Sequence, residues 1–271
     1  MKDSSLQKRA SIILITGVIF MVSIGVLYAW SVISRVIIEE WSWTSLQAGV
    51  PFSLALVFFA TGNLIGGRLQ VKISARIVGT IGGAMVGGGF LLCGLFGNNP
   101  IAVAICFGVI TGLGVGFGYS SFLPTLLKWY HPGRKGFVSG WIIGGFGLTS
   151  LYLAPLSSYL LYNFDIKLTF IILGIKTLVI SLPLAQFIKS PPDGYTPPIP
   201  SNMKQKSIAT LPVDKTWKEM MATNEFYLLF FMFLCSVSIG QMVIGNITGI
   251  AELQAGINNA SLLAGLVAFM A

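Results

Sequence analysis

Seven times in 271 residues the chain runs apolar for about twenty residues or more. The runs are Ile12–Ser34, Ser45–Gly66, Ile77–Phe96, Ile101–Leu127, Phe137–Leu161, Leu168–Ile188 and Phe226–Ala251, and an eighth begins near Ala260. About 20 such residues in a helix cross the roughly 30 Å of hydrocarbon in a bilayer. The runs are continuous rather than alternating, so they predict spanning helices and not barrel strands, since every backbone polar group in lipid needs an internal partner. Composition agrees: 54% of the residues are hydrophobic and 10% charged, against about 25% charged in a soluble domain. The fold class expected is all-α integral membrane.

A net charge of +8 in a soluble chain would suggest nucleic acid. Here the cations fall in short loops, with no basic–aromatic repeat, so no nucleic-acid partner is expected. Fourteen of the 17 lie in the N-terminal tail and every second loop: Lys2, Lys8, Arg9, then Arg68, Lys72, Arg76, then Lys128, Arg134, Lys135, then Lys189, Lys204, Lys206, Lys215 and Lys218. The positive-inside rule puts those segments, and the N-terminus, in the cytoplasm of a cell whose inner membrane the chain spans. The first run is too long for a signal-peptide core of about 7–15 residues and reads as a retained helix.

The runs group into a six-helix bundle over 1–190, a connector over 191–225 and the first helices of a second bundle over 226–271. The connector contains SPPDGYTPPIPS, whose five prolines exclude a regular helix. Beyond it, Trp217, Met220 and Met221 have the spacing of a short helix lying on a membrane surface. The eighth run has 12 residues, Ala260 to Ala271. Because a helix ending in mid-bilayer leaves carbonyls unpaired, the expectation is that the chain is the N-terminal part of a longer protein. Its partners are then the bilayer and the missing C-terminal half, with no other copy required.

The stretch from Gly108 to Gly147 organises the bundle. Gly108, Gly112 and Gly116 recur every four residues, and Gly140 and Gly144 repeat that spacing after the basic turn KWYHPGRKG. Glycine at this spacing lets membrane helices approach and pack closely. Thr111, Ser120, Ser121 and Thr125 among the glycines suit a pore or binding wall.

Signatures of catalysis are sparse. His131, the one histidine, lies beside Pro132 with no ligand or triad partner at useful spacing. No P-loop or strict G-x-G-x-x-G occurs, and Cys93, Cys106 and Cys235 read as packing residues within apolar runs. Neither an enzyme, a cofactor nor a metal is expected. Lys176 is the one charge inside a run, ninth of the 21 residues from Leu168 to Ile188, where a cation costs about 2.5–3.5 kcal/mol to insert. It reads as an anion-attracting charge or as a side chain that snorkels. Tyr28, in GVLYAW, and Tyr119 each fall five residues past the midpoint of an oppositely directed run, so their rings flank the midplane at about 7.5 Å if they belong to an inverted three-plus-three repeat.

GVLYAW (25–30), GVGFGYSSFLPTLLKWYHPGRKGFVSGW (114–141), KSPPDGYTPP (189–198) and TWKEMMATNEFYLLFF (216–231) together resemble the oxalate/formate antiporter family of the major facilitator superfamily. The resemblance covers essentially the whole chain. It implies a twelve-helix carrier of small carboxylates that works by alternating access, with aromatic side chains around the substrate. Tyr28 and Tyr119 match two of those aromatic positions, and Phe146 stands where a tyrosine is expected. Leu27 replaces a glutamine, so the wall is less polar, and formate, lactate or pyruvate fits it as well as oxalate. The superfamily's loop motif G-x-x-x-D-[RK]-x-G-[RKP]-[RK] reads GRLQVKISAR here, keeping Lys72 and Arg76 but with Val71 for the acidic residue and Ser74 for the second glycine. The resemblance implies a weakened latch between the two halves and a bias toward the inward-open state. A non-transporting carboxylate sensor is the alternative.

Overall fold

A computed structural model describes residues 2–192, 195, 197 and 217–255. Among them, seven helices are long and apolar enough to cross a membrane, making this a multi-pass membrane protein. The first span is α1 (Lys2–Ile24), a 3₁₀ turn (Val26–Ala29) and α2 (Trp30–Trp41). There follow α3 (Ser45–Lys72), α4 (Ala75–Phe96), α5 (Pro100–Val103) with a π-helical stretch (Ala104–Thr111) and α6 (Gly112–Leu127). The series continues with α7 (Lys135–Asn163), α8 (Ile166–Ala185), the short α9 (Trp217–Met221) and α10 (Asn224–Ala255). The expected eighth run lies outside the described residues, as does most of the connector.

The helix starts are written in side chains. Thr44 and Gln47 form a reciprocal cap at the head of α3, with Thr44 N–H to Gln47 Oε1 at 2.9 Å and Gln47 N–H to Thr44 Oγ1 at 3.3 Å. Asn99 accepts from Ile101 N–H just ahead of α5, where Pro100 needs no partner. Asp165 accepts from Leu168 N–H at the head of α8. Two expectations are corrected at this level. The first run, expected to end at Ser34, stays helical through Trp41, because Ile37 is buried and Arg35 pairs with Glu39 one turn on at 3.1 Å. Cys235, expected as a packing residue, is exposed, because among the described residues α10 lies chiefly against α2 and leaves much of its apolar surface open.

The bundle closes around glycine. α6 and the π-helical stretch lie along α3, and α4 is held between α6 and α8. Gly108, Gly112 and Gly116 form one ladder against Pro51, Ala55 and Phe59, also four residues apart. A Cβ at Gly112 would stand 2.7 Å from Ala55 O, and one at Gly116 would stand 2.6 Å from Asn63 N, so only glycine fits there. Gly140 and Gly144 differ. Nothing lies within 4 Å of a Cβ at either, and with Gly136, Phe137 and Trp141 they line an open apolar groove along α7. Beneath the bundle surface, Phe107 packs at a tilt against Trp30 with ring centres 4.2 Å apart and meets Phe90 at 5.6 Å, while Trp30 Nε1 donates to Ala48 O at 2.9 Å.

Candidate functional site

The first span is interrupted where it meets α7. A Cβ at Gly25 would stand 2.8 Å from Thr149 Cβ and 2.9 Å from Phe146 O, so the backbones touch here with no room for a side chain. Gly25 N–H still reaches Met21 O at 3.0 Å, and then the chain tightens into the 3₁₀ turn that carries Tyr28. The Val22 carbonyl, next in the series, takes side-chain hydroxyls instead: Thr149 Oγ1 donates at 3.0 Å and Tyr152 Oη at 3.1 Å. Irregular backbone at membrane depth persists only where protein re-satisfies it or a cavity solvates it, and here two hydroxyls from α7 do so.

The turn presents Tyr28 to a group of rings from three other helices. Tyr28 lies 5.5 Å from Phe146 on α7, edge to face. Tyr119 on α6 lies 6.1 Å from the same ring, also edge to face. Phe59 on α3 completes the group, 5.8 Å from Tyr119 and 6.3 Å from Phe146. These are the edge and offset contacts that ring quadrupoles favour. All four rings are half-buried. The Tyr28 and Tyr119 hydroxyls have no hydrogen-bond partner among the described residues, which leaves two phenol donors available beside the apolar rings. Trp30, the other aromatic of GVLYAW, turns away into the core.

Lys176 is the eleventh of the 20 residues in α8. Its ammonium donates to Tyr152 Oη at 2.8 Å. Nζ is 5.0 Å from the centre of the same ring, so it sits beyond the hydroxyl edge and the hydrogen bond, not the π face, is the operative contact. Among the described residues the one ion pair is Arg35–Glu39, and Lys176 has no carboxylate partner.

The structure therefore brings Tyr28, Tyr119 and Phe146 together and joins Lys176 to the neighbouring turn of α7. Lys72 and Arg76 lie at the far end of α3 and the start of α4, about 20 Å along α3 from Phe59 at 1.5 Å per residue. Two residues of this region are missed by sequence reasoning. Phe59 is one of many phenylalanines in apolar runs, and its signal is only its place at the middle of α3. Tyr152 is marked by a polar pair, Thr149 and Tyr152, three apart in mid-helix. His131 does a turn's work, with Nδ1 accepting from Gly133 N–H at 3.3 Å, and among the described residues no group of three or more His, Cys, Asp or Glu could hold a metal ion.

The described residues thus form a multi-helix membrane bundle whose first span is broken beside a group of aromatic rings. The chain belongs to the Major Facilitator Superfamily, whose family model matches residues 13–271. It is 28% identical over 252 residues to the uncharacterized MFS-type transporter YhjX of Escherichia coli, covering 93% of this chain and 60% of that protein. It is 27% identical over 232 residues to the oxalate:formate antiporter of Oxalobacter formigenes, 85% of this chain and 53% of that one. It is also 29% identical over 157 residues to human monocarboxylate transporter 1, 56% of this chain and 31% of the other. The chain thus spans between half and three-fifths of the length of its first two relatives. Among solved structures, a bacterial homologue of the human lysosomal transporter Spinster, in an inward-facing and unoccupied conformation, superposes with a TM-score of 0.67 at 18% identity, over 96% of this chain and 60% of that one. At that identity the likeness shows the fold.

Proposed function

We propose that this chain is part of a secondary carrier that moves a small carboxylate across the cytoplasmic membrane by alternating access, as an oxalate/formate-type antiporter or a monocarboxylate transporter. One observation carries the reading. Among the described residues, the mid-membrane ammonium of Lys176 is held by a phenol with no carboxylate to neutralise it, one helix away from the ring group of Tyr28, Phe59, Tyr119 and Phe146. A buried cation without a fixed counter-ion calls for a mobile one. The rings supply an apolar wall, the Tyr28 and Tyr119 hydroxyls donate to carboxylate oxygens, and Lys176 attracts the charge. Lys72 and Arg76 serve the cytoplasmic gating loop.

Similarity to an oxalate:formate antiporter and a monocarboxylate transporter supports the same substrate class. The open groove at Gly136, Gly140 and Gly144 suits a helix of the other half. The reading assigns no chemical transformation and no cofactor, and it places 1–190 as one bundle, 191–225 as the cytoplasmic connector and 226–271 in the second bundle, in a monomer. The test is uptake of radiolabelled formate, oxalate, lactate and pyruvate into proteoliposomes carrying the full-length protein preloaded with unlabelled anion. Accelerated counterflow of at least one is expected. Saturable binding without counterflow would replace the carrier by the sensor reading, which the altered loop at 67–76 favours.

A further inference from the structure

The hydrogen bonds around Tyr152 have a direction that chemistry fixes. A lysine ammonium has three donors and no acceptor, so the Lys176 contact uses a lone pair of Tyr152 Oη. The phenol's single proton is then committed to Val22 O. The chain runs one way only, from ammonium through phenol to carbonyl. It joins three helices at mid-depth: α8 through Lys176, α7 through Tyr152, and α1 at the residue three before Gly25 and six before Tyr28. One of the ammonium's three donors is spent, and two remain for an anion. Without the phenol, the four-carbon stem is free to swing toward any more polar environment, as long cationic side chains in membranes do.

We propose that Tyr152 is the positioning residue of the anion site. It tethers the Lys176 ammonium at mid-membrane and registers it against the broken stretch of the first span that carries Tyr28. This rests on the carrier reading above. Thr149 provides the internal control, because it bonds the same carbonyl and has no hydrogen bond to Lys176 among the described residues.

The experiment uses the full-length protein in proteoliposomes with labelled formate and labelled oxalate as probes, measuring half-saturation and maximal rate. Tyr152→Phe should raise half-saturation about tenfold for whichever probe the wild type carries, with the maximal rate changed less than twofold. Thr149→Val should leave half-saturation within twofold of wild type. In a Lys176→Met background the Tyr152→Phe substitution should add nothing further. Equal shifts from Tyr152→Phe and Thr149→Val, or a Tyr152→Phe effect that persists undiminished in Lys176→Met, would overturn the tether and leave Tyr152 as a support of the helix break. If Tyr152→Phe does not elute as a folded protein, p-aminophenylalanine incorporated in place of Tyr152 keeps, at the same reach, an acceptor for Lys176 and a donor for Val22 O. It should stay within threefold of wild type, and a tenfold loss there overturns the proposal. A wild type that neither binds nor moves either probe removes the carrier reading and the tether together. A wild type that works, with Lys176→Met impaired and Tyr152→Phe normal, removes the tether alone.

Discussion

Lys176 carries most of the electrostatic argument. A cation at mid-membrane is tolerated when it is paired, hydrated or called on by a ligand, and its described partner is a neutral phenol. A charge-assisted hydrogen bond contributes about 1.5–3 kcal/mol, and 1.4 kcal/mol is tenfold in affinity. Lys176→Met should therefore weaken half-saturation for the transported anion by about tenfold to a hundredfold, measured in proteoliposomes. Lys176→Met protein with unaltered anion affinity would remove Lys176 from the site. Phe146 makes a second residue-scale prediction. Its ring touches Tyr28, Tyr119 and Phe59, so a para hydroxyl there adds a third phenol donor to the wall. Phe146→Tyr should shift competition between labelled formate and unlabelled oxalate toward oxalate, which has four oxygens to satisfy, and an unchanged ratio would place Phe146 outside substrate contact.

The glycines separate two kinds of helix face. Gly116 lies against the α3 backbone, with Asn63 N 2.6 Å from where a Cβ would be. Gly116→Ala forces helices apart and should cost about 1–3 kcal/mol, as overpacking does, read as a lower midpoint in detergent thermal melts. Gly144 faces open space, so Gly144→Ala should leave the midpoint unchanged. If the groove along α7 receives a helix of the other half during the cycle, the same substitution should slow counterflow. The sequence pattern could not tell these faces apart, because both have the four-residue spacing; only the partner distinguishes them. Spans were legible for the opposite reason. Hydropathy summed over about 20 residues is insensitive to which way any one side chain points, so Ala75–Phe96 and Pro100–Leu127 emerge within two residues of their expected starts. The break at Gly25 was hidden, because glycine is frequent throughout these runs and its effect depends on the approach of α7. Tyr28, Tyr119 and Phe146 were legible through family resemblance. Phe59 and Tyr152 were not, because an aromatic in an apolar run has the same hydropathy whether it meets lipid, core or cavity.

At the scale of the molecule, one end of the bundle is tied together by aromatic side chains that the basic loops bring in. Tyr130 Oη donates to Ala10 O at 3.1 Å, joining the turn after α6 to the start of the first span. Burial pushes the Tyr130 phenol above its usual range, so it remains a neutral donor. Trp129 Nε1 donates to Lys189 O at 2.8 Å, and the Trp129 ring meets Tyr195 at 5.3 Å, which brings the end of the sixth span to the same turn. This is also the end at which Ser74 connects α3 to α4, whereas Tyr162 closes α7 at the opposite end. Arg9, Arg68, Lys72, Arg76, Lys128, Arg134, Lys135 and Lys189 gather at the first end, and moving them across a membrane is what the positive-inside rule opposes. Orientation can be read with single cysteines. Cys235 is the exposed native thiol among the described residues, while Cys93 and Cys106 are buried, so Cys235→Ser gives a quiet background. Ser74 makes no side-chain cap and Tyr162 is 90% exposed, so cysteine at either position leaves packing intact. In intact cells a membrane-impermeant maleimide should label Tyr162→Cys at once and Ser74→Cys only after permeabilisation. The reverse pattern would invert the topology and turn the Trp129–Tyr130 end, with its crowded cations, to the outside of the cell.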